Sequence, residues 1–146
     1  MAEKNLMSGG TGNDKMYGSR GSDVLFGGPG HDLLYGGYGA DTNQLHGEDG
    51  DDEIWASAVG NNEIWGGAGD DMILAGVVPS GGLVPADFPL MPRRANLPAF
   101  GDANRNTRAS RGQLDIDGGD GNDYIIGGTG SNDISGGKGD DVIFGM

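Results

Sequence analysis

Aspartates recur through this chain at a spacing that suits them to hold metal. Asp14, Asp23, Asp32 and Asp41 are nine residues apart, and Asp52, Asp71, Asp123 and Asp141 stand in similar surroundings further on. Nearly all of them follow a glycine-rich stretch and precede, by two residues, a large aliphatic side chain. A glycine-rich turn lets the backbone fold tightly and turns its carbonyl oxygens inward. Carboxylates beside carbonyls are the oxygen donors that a hard cation such as calcium prefers. An acid repeated in register becomes a column of like charges once the chain coils, and such a column needs cations between its members.

The elements that must position these acids follow from the same period. Gly9–Tyr17, Gly18–Phe26, Gly27–Tyr35, Gly47–Trp55, Gly66–Leu74, Gly118–Ile126 and Gly136–Phe144 each begin with Gly-Gly or a close variant. In these units glycine is fourth, aspartate sixth and an aliphatic residue eighth. Three units are weaker. Gly36–His46 has eleven residues, with Asp41 at the acid position and Leu45 at the apolar one. Ala56–Trp65 has Asn62 in place of the acid, and Gly127–Ser135 has Asn132. A short fixed period is the mark of a solenoid, in which each unit buries its apolar face against its neighbours. The first six positions form a turn and the last three a short strand. Period-two geometry then points the eighth residue inward and its neighbours outward. The inward set is Met16, Leu25, Leu34, Leu45, Ile54, Ile64, Ile73, Ile125, Ile134 and Ile143.

Composition restricts the alternatives. The chain has 146 residues, 32 of them glycine, and 22 acids against 9 bases for a net charge of −13. So much glycine and so little apolar material leave a core too thin to offset chain entropy without help. Cysteine is absent, which removes disulfides and thiolate metal sites. No apolar run is long enough to predict a membrane-spanning helix. The first residues, Met1 to Leu6, do not read as a cleavable export signal. Acidity argues against nucleic-acid binding by the body of the chain.

The pattern resembles the RTX calcium-binding repeat, Gly-Gly-x-Gly-x-Asp-x-U-x with U a large aliphatic residue. The resemblance covers residues 9–74 and 118–144. It implies an all-β fold, a right-handed parallel β-roll of about eleven short strands. In that family two units make one turn, and calcium ions sit between a loop and the equivalent loop one turn later. The implied ligands are the carboxylates of Asp14, Asp32, Asp52, Asp71, Asp123, Asp141, Asp23 and Asp41. They are joined by the turn backbone at Gly10, Gly12, Gly28, Gly30, Gly50, Gly67, Gly69, Gly119, Gly121, Gly137 and Gly139. Adjacent rungs lie roughly 4.8 Å apart. Carboxylates at that spacing repel by about 1 kcal/mol in water and more at a protein-like dielectric. A divalent ion between them reverses the sign and ties metal binding to folding.

With two units per turn, the two sides of the roll are not equal. One carries Asp14, Asp32, Asp52, Asp71, Asp123 and Asp141. The other carries Asp23, Asp41, Asn62, an interruption and Asn132. The expectation is a filled ion column on the first side and a sparse one on the second. The interruption, residues 75–112, reads as one turn swollen into a long excursion, after which Gln113–Asp117 resumes as a strand with Ile116 inward. On this reading residues 1–146 form a single domain, with repeats at 9–74 and 113–144 around the insertion.

The insertion holds five of the six prolines and the bases Arg93, Arg94, Arg105, Arg108 and Arg111. Those arginines either fold back on the acidic roll or bind an acidic partner or another copy of the chain. Its segment Leu83–Phe100, apolar residues between prolines, could lie extended across the roll. Outside the inward ladder, Tyr17, Tyr35, Trp55, Leu74, Ile126 and Phe144 form an outward apolar stripe, either stacking between rungs or a docking surface. No catalytic arrangement is legible. His31 and His46 read as solvated, and the first acids of Asp51-Asp52, Asp70-Asp71 and Asp140-Asp141 read as solvated turn residues. The chain is expected to be a non-catalytic calcium-binding module that folds on binding calcium, extracellular or at a cell surface. The alternative is a structural component of an intracellular assembly, docking through the stripe and the arginines.

Overall fold

A computed structural model describes residues 4–37, 42–56, 60–75, 113–127 and 131–145. These residues form twelve short strands: β1 (Leu6–Ser8), β2 (Lys15–Tyr17), β3 (Val24–Phe26), β4 (Leu33–Tyr35), β5 (Gln44–Asp49), β6 (Glu53–Trp55), β7 (Asn62–Ala68), β8 (Met72–Leu74), β9 (Leu114–Asp120), β10 (Tyr124–Ile126), β11 (Asn132–Lys138) and β12 (Val142–Phe144). Odd strands make one six-stranded sheet and even strands a second. Successive strands therefore alternate between sheets. Every pairing is parallel, as in β2 with β4 and β3 with β5. The chain winds as the β-solenoid expected from its period.

Each rung is set by the repeat's eighth residue. Leu25 pairs with Leu45, Leu45 with Ile64 and Ile64 with Ile116 on the first sheet. Leu34, Ile54, Ile73 and Ile125 align in the same way on the second. All these side chains are buried in one interior ladder. Burying a Leu or Ile contributes roughly 1.5–3 kcal/mol, but a single file of them makes a narrow core. At the far end Ile143 is 44% exposed, because no rung covers it among the described residues. One strand beyond the expected number is present. β1 precedes the first glycine turn, and its Met7 pairs with Leu25.

The interruption behaves as one half-turn. The chain leaves β8 in the second sheet and resumes as β9 in the first, paired with β7. The odd-even register therefore continues across it. Residues 76–112, with all five of the arginines singled out above, lie outside the described residues.

The outer faces of the two sheets differ. On the first, Phe26, His46 and Trp65 stack with nearly parallel rings, 4.6 and 4.3 Å between centroids. They remain half-exposed. On the second, Tyr35, Trp55, Leu74 and Ile126 form a separate buried cluster flanked by Leu33, Met72 and Tyr124. The Trp55 indole donates to Glu53 Oε1 at 2.6 Å.

Candidate metal centre

Two edges join the sheets. The first is made of the turns at 9–14, 27–32, 47–52, 66–71, 118–123 and 136–141, which run from the first sheet to the second. Their sixth-position aspartates form one continuous ladder. The backbone N–H of Asp14 donates to Asp32 Oδ1 at 2.8 Å. Asp32 donates to Asp52 at 2.8 Å, Asp52 to Asp71 at 2.8 Å, Asp71 to Asp123 at 2.9 Å and Asp123 to Asp141 at 3.0 Å. The structure thus brings together all six acids assigned to this side, and the ladder crosses the interruption unbroken.

Asp32, Asp52, Asp71, Asp123 and Asp141 each spend Oδ1 in this ladder, while Asp14 enters it only through its backbone N–H. Oδ2 of Asp14, Asp32, Asp52, Asp71 and Asp123 is buried and accepts no hydrogen bond. A buried polar atom without a partner costs about 1–3 kcal/mol, more if charged. The glycine that opens each turn shows what surrounds it. A Cβ on Gly9 would lie 2.7 Å from both Asp14 Oδ2 and the Gly27 carbonyl oxygen of the next coil. The same two oxygens, from one coil and the next, crowd that position at Gly27, Gly47, Gly66 and Gly118. Orphaned carboxylate oxygens facing carbonyl oxygens are a donor set for a hard cation. No group of three or more His, Asp or Glu side chains that could hold a metal occurs among the described residues. An ion here must therefore take backbone oxygens beside the paired carboxylates. On this test the residues fit calcium.

The turn glycines allow the coils to stack this closely. Gly10, Gly12, Gly28, Gly30, Gly50, Gly67, Gly69, Gly119, Gly121, Gly137 and Gly139 all have positive φ. A methyl group on Gly50 would collide with the Gly30 carbonyl of the preceding coil. The third turn breaks the rule: its second position is Glu48, held at φ 80°. A non-glycine residue in that region costs about 1–2 kcal/mol.

Burial and crowding show in the acidities. Desolvation, with help from neighbouring carboxylates, raises Asp52 from 3.8 to about 7 and Asp71 from 3.8 to about 8, against the opposing backbone hydrogen bonds. Asp123 is raised for the same reasons.

A second ladder beside the first was not foreseen. The fifth-position side chains accept backbone N–H groups in the opposite direction along the roll. Asn13 accepts from His31 at 3.0 Å, His31 Nδ1 from Asp51 at 3.0 Å and Asp51 from Asp70 at 3.0 Å. Asp70 accepts from Asn122 and Asn122 from Asp140, both at 2.9 Å. His31 and these acids are therefore not merely solvated: they tie adjacent turns together. Their fixed place before each ladder aspartate was the available signal.

The second edge is different in kind. Asn5 N donates to Asp23 Oδ1, Asp23 N to Asn43 Oδ1 and Asn43 N to Asn62 Oδ1 at 3.0, 2.9 and 3.2 Å. Asn62 pairs in turn with Leu114, and Leu114 with Asn132. The rung between Asp23 and Asn62 belongs to Asn43, not to Asp41, which lies outside the described residues. The eleven-residue unit spends its two extra residues in the turn, and the ladder position is fixed by counting back from the inward Leu45. Asp23 is thus the only carboxylate in this column among the described residues.

A profile of the RTX calcium-binding nonapeptide repeat matches the chain in four copies, over residues 8–42, 38–58, 59–77 and 116–146. No curated protein and no solved structure matches it. With matches over more than half of its length and a ladder of repeat aspartates along one edge, the chain belongs to the RTX calcium-binding repeat family.

Proposed function

We propose that this calcium-binding repeat module folds on binding calcium, and that the ions lie along the first edge. The observation that carries this reading is the row of buried, unpartnered Oδ2 atoms, each facing a carbonyl oxygen of the next coil. Asp14, Asp32, Asp52, Asp71, Asp123 and Asp141 would hold the ions pairwise, with turn carbonyls completing each shell. Five ladder steps join these six acids, so about five ions are expected there. The bound ion supplies positive charge that cancels repulsion between stacked carboxylates. The residues themselves provide the register. The second edge, lacking paired carboxylates among the described residues, contributes amide hydrogen bonds instead. The repeat family is a structural calcium-binding one, which supports a binding and folding role.

Extracellular calcium modules typically bind at about 10⁻⁴–10⁻³ M. A thin core that depends on such weak sites suits a protein that leaves the cell unfolded and folds outside or at its surface. Calcium titration followed by far-ultraviolet circular dichroism, with an ion count on the loaded protein, tests the reading. The expected result is a cooperative gain of strand signal at near-millimolar calcium, with ions saturating near the number of first-edge steps. A chelated chain that keeps its full strand signal would overturn it and favour an assembly component.

A further inference from the structure

The outer face of the first sheet carries two columns of side chains in register. One runs Phe26, His46, Trp65, Asp117 and Ser135. Its three rings stack at 4.6 and 4.3 Å, and there the stack stops. The rung beyond Trp65 holds Asp117, a short acid in place of a ring. His46 occupies one face of the Trp65 indole; the rung on the other side offers that ring no partner, and Trp65 is half-exposed. The second column is acidic beside this open face, with Glu63 paired to Asp115 and Asp115 to Asp133. Glu63 accepts from Gln44 Nε2 at 2.7 Å. Asp115, Asp117 and Asp133 are exposed, and no hydrogen bond or ion pair among the described residues uses their carboxylates. Neighbouring rungs hold these like charges roughly 4.8 Å apart, where they repel. Burial pushes the His46 imidazole below its ordinary range, so the stack supplies no cation at neutral pH. Calcium does not suit this face. Strand carbonyls are spent in sheet pairing, and no group of acids and histidines that could hold a metal occurs among the described residues.

We propose that the open Trp65 face and the acids beside it bind an arginine side chain of a partner polypeptide that carries a second base close by. Indole attracts a cation more strongly than the other aromatic rings. A guanidinium is planar, so it extends a stack of flat rings, and its fork of N–H donors matches carboxylates. One rung past Trp65 it would lie over Asp117, with Asp115 alongside. The acids continue further than one guanidinium needs. Glu63 to Asp133 spans two rungs, roughly 10 Å, the length of about three extended residues, which calls for a second base in the bound segment. The source is placed outside this chain because Trp65 and the acids stand open to solvent on the folded roll. The proposal does not depend on where calcium binds.

The chain has two tryptophans, so isotope-labelled tryptophan gives two indole N–H resonances, told apart by Trp65→Phe. The probe is acetyl-Gly-Arg-Gly-Arg-Gly-amide, titrated into the intact chain in saturating calcium at low ionic strength. The Trp65 resonance is expected to move saturably while that of Trp55 stays in place. The lysine counterpart should bind severalfold more weakly and the citrulline counterpart not at all. Asp117→Asn should weaken the arginine peptide severalfold with circular dichroism unchanged; if that variant fails to fold, Asp115→Asn should show the same loss. An unmoved Trp65 resonance would overturn the proposal. Equal binding of the arginine and lysine peptides would also overturn it, since attraction by charge alone needs no stacking. So would a Trp65 resonance in the free protein that moves when Arg93, Arg94, Arg105, Arg108 and Arg111 are replaced by lysine, which would give the site to this same chain.

Discussion

The two edges of this roll use nearly the same hydrogen-bond ladder and reach opposite electrostatic outcomes. On both, a side-chain oxygen of one coil accepts the backbone N–H of its neighbour, as Asp52 does from Asp32 and Asn43 from Asp23. The second atom of the side chain makes the difference. An amide has a donor to spare: Asn43 Nδ2 reaches Asn62 Oδ1 at 3.2 Å, and Asn5 Nδ2 reaches Asp23 Oδ1 at 2.8 Å. A carboxylate has only another acceptor. On the first edge that acceptor is buried beside carbonyls and meets no donor, whereas Asp23 Oδ2 on the second accepts the backbone N–H of Ser19 at 2.7 Å. One edge closes on its own hydrogen bonds; the other leaves buried carboxylate oxygens without donors, the arrangement proposed to hold calcium.

Calcium removal should have the largest effect on this contrast. Each occupied site stabilises the folded state by about 2.7 kcal/mol at a hundredfold excess over Kd. Summed over the first edge, that exceeds what so thin a core would hold in reserve. Chelation is expected to abolish most of the strand signal in circular dichroism. Retention of that signal would erase the distinction between the edges.

Single substitutions should then divide by edge. Asp71→Asn, in the middle of the acidic ladder, removes a carboxylate shared by the steps to Asp52 and Asp123. It should lower the bound calcium by up to two ions and raise the calcium midpoint severalfold. Asn62→Asp places a carboxylate between Asn43 and Leu114 and should add no ion. Mass spectrometry of the native, loaded protein counts both. An extra ion in Asn62→Asp would show that the second edge lacks only charge.

The pH dependence should be opposite with and without calcium. Asp52 and Asp71 are raised from 3.8 to about 7 and about 8 by burial first and neighbouring acids second. A raised folded-state pKa means that the folded chain holds more protons than the unfolded one. Its stabilising contribution is present below pH 3.8 and is lost as pH rises through about 7 to 8. Metal-free protein should therefore gain strand signal on acidification from pH 8 to 5. Calcium-loaded protein should lose affinity over the same range, because binding displaces those protons. Circular dichroism at several pH values, with and without chelator, separates the two.

The smallest expected effect concerns one turn. Glu48→Gly should relieve the positive φ at that position and raise stability by about 1 kcal/mol, read from thermal unfolding in saturating calcium. Gly50→Ala in the same turn should do the reverse and cost more, because its methyl group meets the Gly30 carbonyl. If the two variants melt alike, close stacking of the first-edge turns is not what those glycines provide.

Much of this was legible in the chain. Every aliphatic residue assigned inward except Ile143, which is 44% exposed, lies on the interior ladder, and all six first-side aspartates align. Both follow from a strict period, since a constant number of residues per coil fixes the direction of each side chain. Legibility failed where the period did. The eleven-residue unit offered Asp41 as a plausible acid, whereas strand pairing gave the rung to Asn43. β1 escaped notice because no glycine turn precedes it. The fifth-position ladder was missed because a variable position of mixed Asn, His and Asp has no common chemistry until its members are stacked.

Residue order alone therefore determined the coil length, the thin apolar file and the recurrence of acid, because these depend only on the spacing of side chains along the chain. The folded arrangement decided which oxygens are spent and which are orphaned, and on which edge the orphaned ones lie. Those outcomes depend on what lies one coil away, some eighteen to twenty residues distant for most rungs and fifty-two across the interruption. Local spacing cannot report whether an atom that far along the chain supplies a donor, an acceptor or a side chain that excludes water.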